Sequence, residues 1–323
     1  MRISFQAENK LKKTIPMAET VVAHHDSTRM MRQATYAAVA VAMVLVVIKL
    51  GAYWVTGSVA MLSTLIDSVL DVAASFINLL AVRAALTPAD REHRFGHGKA
   101  EPLAGLGQAA FITGSALFLA VESIRLLWAP QPVTNGALGI GVMGVSILLT
   151  LALVYYQRIV IRKTGSLAIS ADSLHYTGDV LVNLGVIVAL GLSTFWGWSL
   201  ADPLFALAIA AYILRNAWQI IFHSLNQLMD RELPEEERAQ ITQLALSHPE
   251  VLDFHDLRTR AAGQDLFIQF HLGVEGQLSL QRAHQIGKEV EAKVLNIFPQ
   301  AEIIIHHDPM DKNEEDSGGR INF

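Results

Sequence analysis

The chain has no cysteine among its 323 residues. Disulfides and thiolate metal sites are therefore excluded, and any bound metal must be held by His, Asp or Glu. Charge is scarce too, at 17% of residues against about 25% in ordinary soluble domains. The apolar share is 52% and the mean hydropathy +0.35. Composition of this kind excludes the disordered and disulfide-scaffold classes. The missing charge is unevenly distributed. Residues 1–230 hold 16 Lys and Arg against 13 Asp and Glu, whereas residues 231–323 hold 9 against 17. An acidic C-terminal part argues against nucleic acid as a partner.

Apolar runs are what the first part has instead. Six of them, at about 34–55, 58–86, 102–128, 137–160, 169–195 and 200–222, approach the roughly 20 residues that cross a bilayer as a helix. The domain organisation expected is a polar N-terminal segment at 1–33, a six-helix transmembrane bundle at 34–222, a cytoplasmic α+β domain at 223–310 and a disordered tail at 311–323. Residues 1–33 lack the apolar core of a signal peptide and read as a flexible lead-in. The connections near 56–57, 129–136 and 196–199 contain no Lys or Arg, while Arg29, Arg32, Arg91, Arg94, Lys99, Arg158, Arg162 and Lys163 fall on the opposite side. Basic residues stay cytoplasmic, which predicts both termini inside. Lys49 and Arg83 fall near span ends and are expected to snorkel.

After Asp230 the pattern changes. Pro234 and the acids Glu235, Glu236 and Glu237 open a helix. Residues 251–260 and 265–274 read as strands joined by a turn at Gly263, residues 279–298 as a second helix and 301–306 as a third strand. The expected domain has a three-stranded sheet and two helices.

The apolar runs hold a few titratable residues in a pattern. Asp67 and Asp71 are spaced i, i+4 in the second span, as are His175 and Asp179 in the fifth. This spacing puts each pair on one helix face, about 6 Å apart along the axis. A carboxylate in hydrocarbon costs at least a few kcal/mol. A hydrogen-bonded His–Asp pair would account for one such acid; two matched pairs point to a shared cation. One imidazole and three carboxylates suit Zn2+ and tolerate Fe2+ or Mn2+. An imidazole titrates near neutral pH and must be neutral to bind metal, which offers a coupling between metal and protons. Asp172, near the span end, reads as an interfacial acid. In the loop after the second span, Asp90, His93 and His97 form a possible three-ligand cytoplasmic site. Six of the 12 histidines lie in residues 248–307, and those on separate strands, His255, His271 and His306, could converge. His248 reads as an exposed helix-end residue.

These features resemble the cation diffusion facilitator family. The resemblance covers residues 32–310 and rests on LIDSVLD, HRFGHGKAEPLA, ADSLHYTGD, HDLRTR, FIQFHL and IIIHHDP. It implies an inner-membrane homodimer with a metallochaperone-like cytoplasmic domain, exporting Zn2+, Fe2+ or Cd2+ in exchange for protons by alternating access. Asp67, Asp71, His175 and Asp179 would be the transport site, and Asp90, His93 and His97 a second site. His255, His271 and Asp308 would hold one zinc, and His271, His284 and His306 another, with residue 307 lending its backbone. Lys99 and Asp230 would form part of a charge interlock between subunits. The sequence departs from the family at His307, where glutamine is expected; its ring could add a ligand or face water. Two rivals differ in class. An intramembrane metalloprotease would want His-Glu-x-x-His, which does not occur. A membrane-anchored zinc sensor without transport leaves the paired intramembrane acids without a purpose.

Overall fold

The computed structural model describes residues 17–56, 59–128, 137–196 and 200–311, and they form two compact units, one of Ser27–Leu228 and one that includes the chain from Met229 onward. The three connections free of Lys and Arg lie almost wholly outside the described residues, as does the tail beyond Asp311.

The first unit is a bundle of six helices: α1 Met17–Thr56, α2 Val59–Ala85, α3 Ala100–Trp128, α4 Ala137–Thr164, α5 Leu167–Trp196 and α6 Ala201–Leu228. Helix α1 begins at Met17, so the supposed lead-in is helical over its second half. Its buried stripe of Met31, Ala34, Ala38, Ala42, Leu45 and Ala52 recurs every three or four residues, the spacing of one helix face. Helices α3, α5 and α6 share a core of Ile112, Ala116, Leu174, Ile213 and Ala217. At Gly185 a Cβ would lie 2.9 Å from Ile209 Cδ1, so α5 and α6 pack closely at this crossing. The outer faces carry exposed large apolar residues such as Val47, Trp54, Phe118, Leu148 and Trp218, as a bilayer requires. Among the described residues, five helices are long and apolar enough to cross a membrane; α5 carries Asp172, His175 and Asp179.

The second unit contains α7 Glu235–Leu246, β1 Asp253–Ala262, β2 Asp265–Glu275, α8 Leu280–Leu295 and β3 Ala301–Met310. Strand order is β1-β2-β3, with β1 antiparallel to β2 and β3 parallel to β2. A parallel neighbour needs a crossover, which α8 supplies; the Ser279 side chain caps its first turn by accepting from the Arg282 N–H. Leu266, Ile268, Phe270, Leu272 and Val274 alternate along β2 and pack with Ile286, Val290 and Val294 of α8 and Ile241 of α7. One sheet face is thus covered by helices, and the odd-numbered positions of β2 point to the other.

Candidate metal sites

In the helical unit α2 and α5 run antiparallel and meet at two acids and a histidine. His175 Nε2 is 2.9 Å from Asp71 Oδ1 and 3.8 Å from Asp179 Oδ2. One ligand atom from each of Asp71, His175 and Asp179 lies within 4.8 Å of the others, close enough to be drawn onto one cation. The structure therefore brings together three of the four residues expected there. Asp67 lies one turn away on α2, toward the same end as Asp179, and is exposed. Helix α5 is held by a buried acid from α3: Glu101 Oε1 accepts from the Leu167 N–H at 2.8 Å, satisfying an orphan donor of the first turn.

Two further polar residues depart from expectation. Asp172 is not interfacial but fully buried, accepting from Gln157 Nε2 at 2.7 Å, Gln108 Nε2 at 3.2 Å and Ser75 Oγ at 3.4 Å. Ser75 Oγ is also 2.7 Å from the Tyr176 hydroxyl. This layer joins α2, α3, α4 and α5 one turn from the Asp71–His175 pair, on the side away from Asp67 and Asp179. Nothing in the spacing of Gln108 and Gln157 announces it; the signal lies in their being the only amides deep in two otherwise apolar runs. Lys49 does not snorkel. Its ammonium donates to Ser68 Oγ at 2.6 Å and to the Thr64 carbonyl at 3.2 Å, reaching from α1 across to α2.

The loop between α2 and α3 folds around Asp90, whose Oδ1 accepts from the backbone N–H of His93 at 2.7 Å and of Glu92 at 2.9 Å. The His93 N–H bond, the largest influence, holds the Asp90 carboxyl below the usual carboxylate range. Its oxygens lie 3.6 Å from His93 Nδ1 and 3.5 Å from His97 Nε2, so the three side chains gather at one point. Lys99 donates to the Leu228 carbonyl at 3.4 Å. In the other unit Asp230 pairs with Arg260 at 3.6 Å.

In the second unit β-pairing aligns His255 with His271 and His271 with His306, one row across all three strands. Asp308, two residues beyond His306, shares its face. Asp308 Oδ2 is 2.9 Å from His271 Nδ1 and 3.1 Å from His255 Nε2, and its Oδ1 is 3.4 Å from His306 Nε2. Burial raises the Asp308 carboxyl, but the His271 hydrogen bond and the neighbouring imidazoles outweigh it and leave the group below its ordinary value. Asp256, at a register shift in β1 with φ 51°, offers a further carboxylate to His255 and His271; the sequence reading missed it because a strand would have turned it to the opposite face. His284 is exposed on α8, which packs on the other side of the sheet, and it is outside the cluster of its own chain. His307 is neither a ligand nor turned to water. Its ring lies beneath α8, where a Cβ on Gly287 would fall 2.7 Å from Nε2, and burial lowers its pKa. His248 is buried, with Nε2 2.8 Å from Glu289 Oε2.

Two family descriptions match the chain: the cation efflux transmembrane domain over residues 35–229 and the cation efflux protein cytoplasmic domain over residues 233–310. Relatives include the cation-efflux pump FieF of Salmonella arizonae and that of Salmonella schwarzengrund, each 49% identical over 281 residues, or 87% of this chain and 93% of the relative. Among solved structures, a Zn form of CzrB is 34% identical over 27% of this chain and 98% of its own, with a TM-score of 0.25. A MamM C-terminal domain is 26% identical over 24% of this chain and 98% of its own, with a TM-score of 0.23. The chain is a multi-pass membrane protein of the cation efflux family, the cation diffusion facilitators.

Proposed function

We propose that this cation efflux protein exports Zn2+, and also Fe2+ and Cd2+, across the bacterial inner membrane in exchange for protons, working as a homodimer with both termini cytoplasmic. The observation that carries the reading is the approach of Asp71, His175 and Asp179 from two antiparallel helices within a membrane-spanning bundle. Asp67, one turn along α2, is the fourth ligand, completing its coordination when metal draws the carboxylates inward. Imidazole with carboxylates suits a borderline divalent cation. The ring must be neutral to bind, so metal entry releases a proton and proton entry favours metal release. Alternating access then needs the site to face each side of the membrane in turn. No covalent chemistry is involved. The loop residues Asp90, His93 and His97 pass metal toward the cavity, and Lys99 with Asp230 takes part in a charge interlock between subunits. His255, His271, His306 and Asp308 bind zinc that stabilises the cytoplasmic domain, and His284, on the other side of the sheet, is not among the ligands.

The test is initial Zn2+ flux into vesicles holding the purified protein, against an imposed pH gradient. Asp71→Ala, His175→Ala and Asp179→Ala are expected to abolish flux in folded protein. His175→Asp, an all-oxygen site, should shift preference toward Mn2+ and alter the pH dependence. Wild-type flux with unchanged pH dependence in His175→Ala would overturn the assignment. A membrane-anchored sensor would give no flux in any variant, wild type included.

A further inference from the structure

Between Arg32 and Arg83 the chain has a single basic residue, Lys49. It sits in the apolar stretch of α1, where a charge is costly and marks function or a partner of opposite sign. Among the described residues its ammonium makes two hydrogen bonds, both to α2. One reaches Ser68 Oγ, between Asp67 and Asp71 in sequence, and the other the Thr64 carbonyl, one turn before Ser68. Neither partner is an anion. Ser68 adjoins Asp67 in sequence, so the hydrogen bond holds the ammonium on the stretch of α2 that carries Asp67, the end of the site toward which Asp179 also lies. Lys49 is thus tethered beside the candidate transport site without occupying it.

We infer that Lys49 is a resident counter-charge that sets the affinity of the transport site for divalent cations. The inference rests on the reading of Asp67, Asp71, His175 and Asp179 as that site. Three carboxylates, one ammonium and one dication around a neutral imidazole are together uncharged, the least costly loaded state in a low-dielectric medium. Without the ammonium, the same loaded site carries one net negative charge and the empty site three. A dication then binds more tightly and leaves more slowly. An efflux protein gains from the weaker site, because turnover requires release.

Flux of Zn2+ in vesicles holding the full chain tests this with three substitutions. Lys49→Gln keeps hydrogen-bonding capacity toward Ser68 and Thr64 and removes the charge; Lys49→Met removes both; Lys49→Arg keeps the charge. Lys49→Gln is expected to lower the KM for Zn2+ by about tenfold or more, in line with the size of a charge–charge interaction near a protein interior, and to lower maximal flux. Lys49→Met, where it folds, should do the same, and Lys49→Arg should stay within about threefold of wild type, the context variation of such interactions. An unchanged or raised KM in Lys49→Gln overturns the inference, because a purely structural tie would weaken the site or leave it alone. Asp71→Ala, measured alongside, separates the two readings. Loss of flux there with an unaltered Lys49→Gln refutes the counter-charge alone, whereas retained flux in Asp71→Ala refutes the site and the counter-charge together.

Discussion

Asp172 shows how a residue three positions from His175, a candidate metal ligand, acquires a different task. His175 and Asp179 look across to Asp71 on α2, while Asp172 meets amide and hydroxyl donors that use up its oxygens. Gln157 Oε1, on the amide that donates to Asp172, is buried and has no partner among the described residues. Asparagine at 172 can therefore be accommodated by turning that amide over, so that Oε1 accepts from the new NH2 group. Alanine cannot be accommodated, because it strands donors on two glutamines at about 1–3 kcal/mol each. Asp172→Ala is expected to lower the thermal stability of the detergent-solubilised protein markedly, and Asp172→Asn to stay within about 1 kcal/mol of wild type, the net worth of one hydrogen bond. Equal losses in thermal unfolding for the two variants would show that the negative charge, not the hydrogen-bond layer, is what the bundle needs.

The same distinction between neighbours appears along single elements. On β3 the side chains alternate, so Ile303, Ile305 and His307 turn toward the helices while His306 and Asp308 join the histidine row. Adjacent histidines thus end in opposite environments for no reason but the pleat. On α8 the buried stripe of Ala283, Ile286, Gly287, Val290 and Val294 faces the sheet, and Glu289 stands beside it to meet His248 from the connection after α7. The His248 hydrogen bond pulls the Glu289 carboxyl down to about 2, from an ordinary value near 4.5. A carboxyl depressed on folding adds stability that is complete above its unfolded pKa and is lost as pH falls toward the folded one. The melting temperature of the segment 229–323 should therefore fall as pH is lowered from about 4.5 toward 2. Glu289→Gln is expected to flatten that part of the curve, as followed by circular dichroism.

At the scale of the whole molecule, the zinc site proposed on the imidazole row of the acidic domain predicts that zinc stabilises that domain. A ligand at a hundred times its dissociation constant adds about 2.7 kcal/mol, a clear rise in melting temperature. His271 touches Asp308 and lies between His255 and His306, so His271→Ala should remove most of the zinc-dependent rise. His284→Ala should keep most of it, and the reverse order would relocate the site. Much of this was legible in the sequence. Hydrophobic run lengths give the spans, because the backbone must satisfy itself in lipid. The i, i+4 spacing gives each intramembrane pair, and strand alternation puts His255, His271 and His306 within reach of one another. Tertiary structure alone decided the rest. Helix periodicity places residues on faces but does not say which helix comes to meet them, so Asp172 read as interfacial until Gln108 and Gln157 closed on it from α3 and α4. Lys49 read as a snorkelling residue until α2 supplied Ser68. His284, which family resemblance puts in the metal cluster, is set apart from it because the crossover helix packs against the opposite face of the sheet, a consequence of strand order that no local pattern carries.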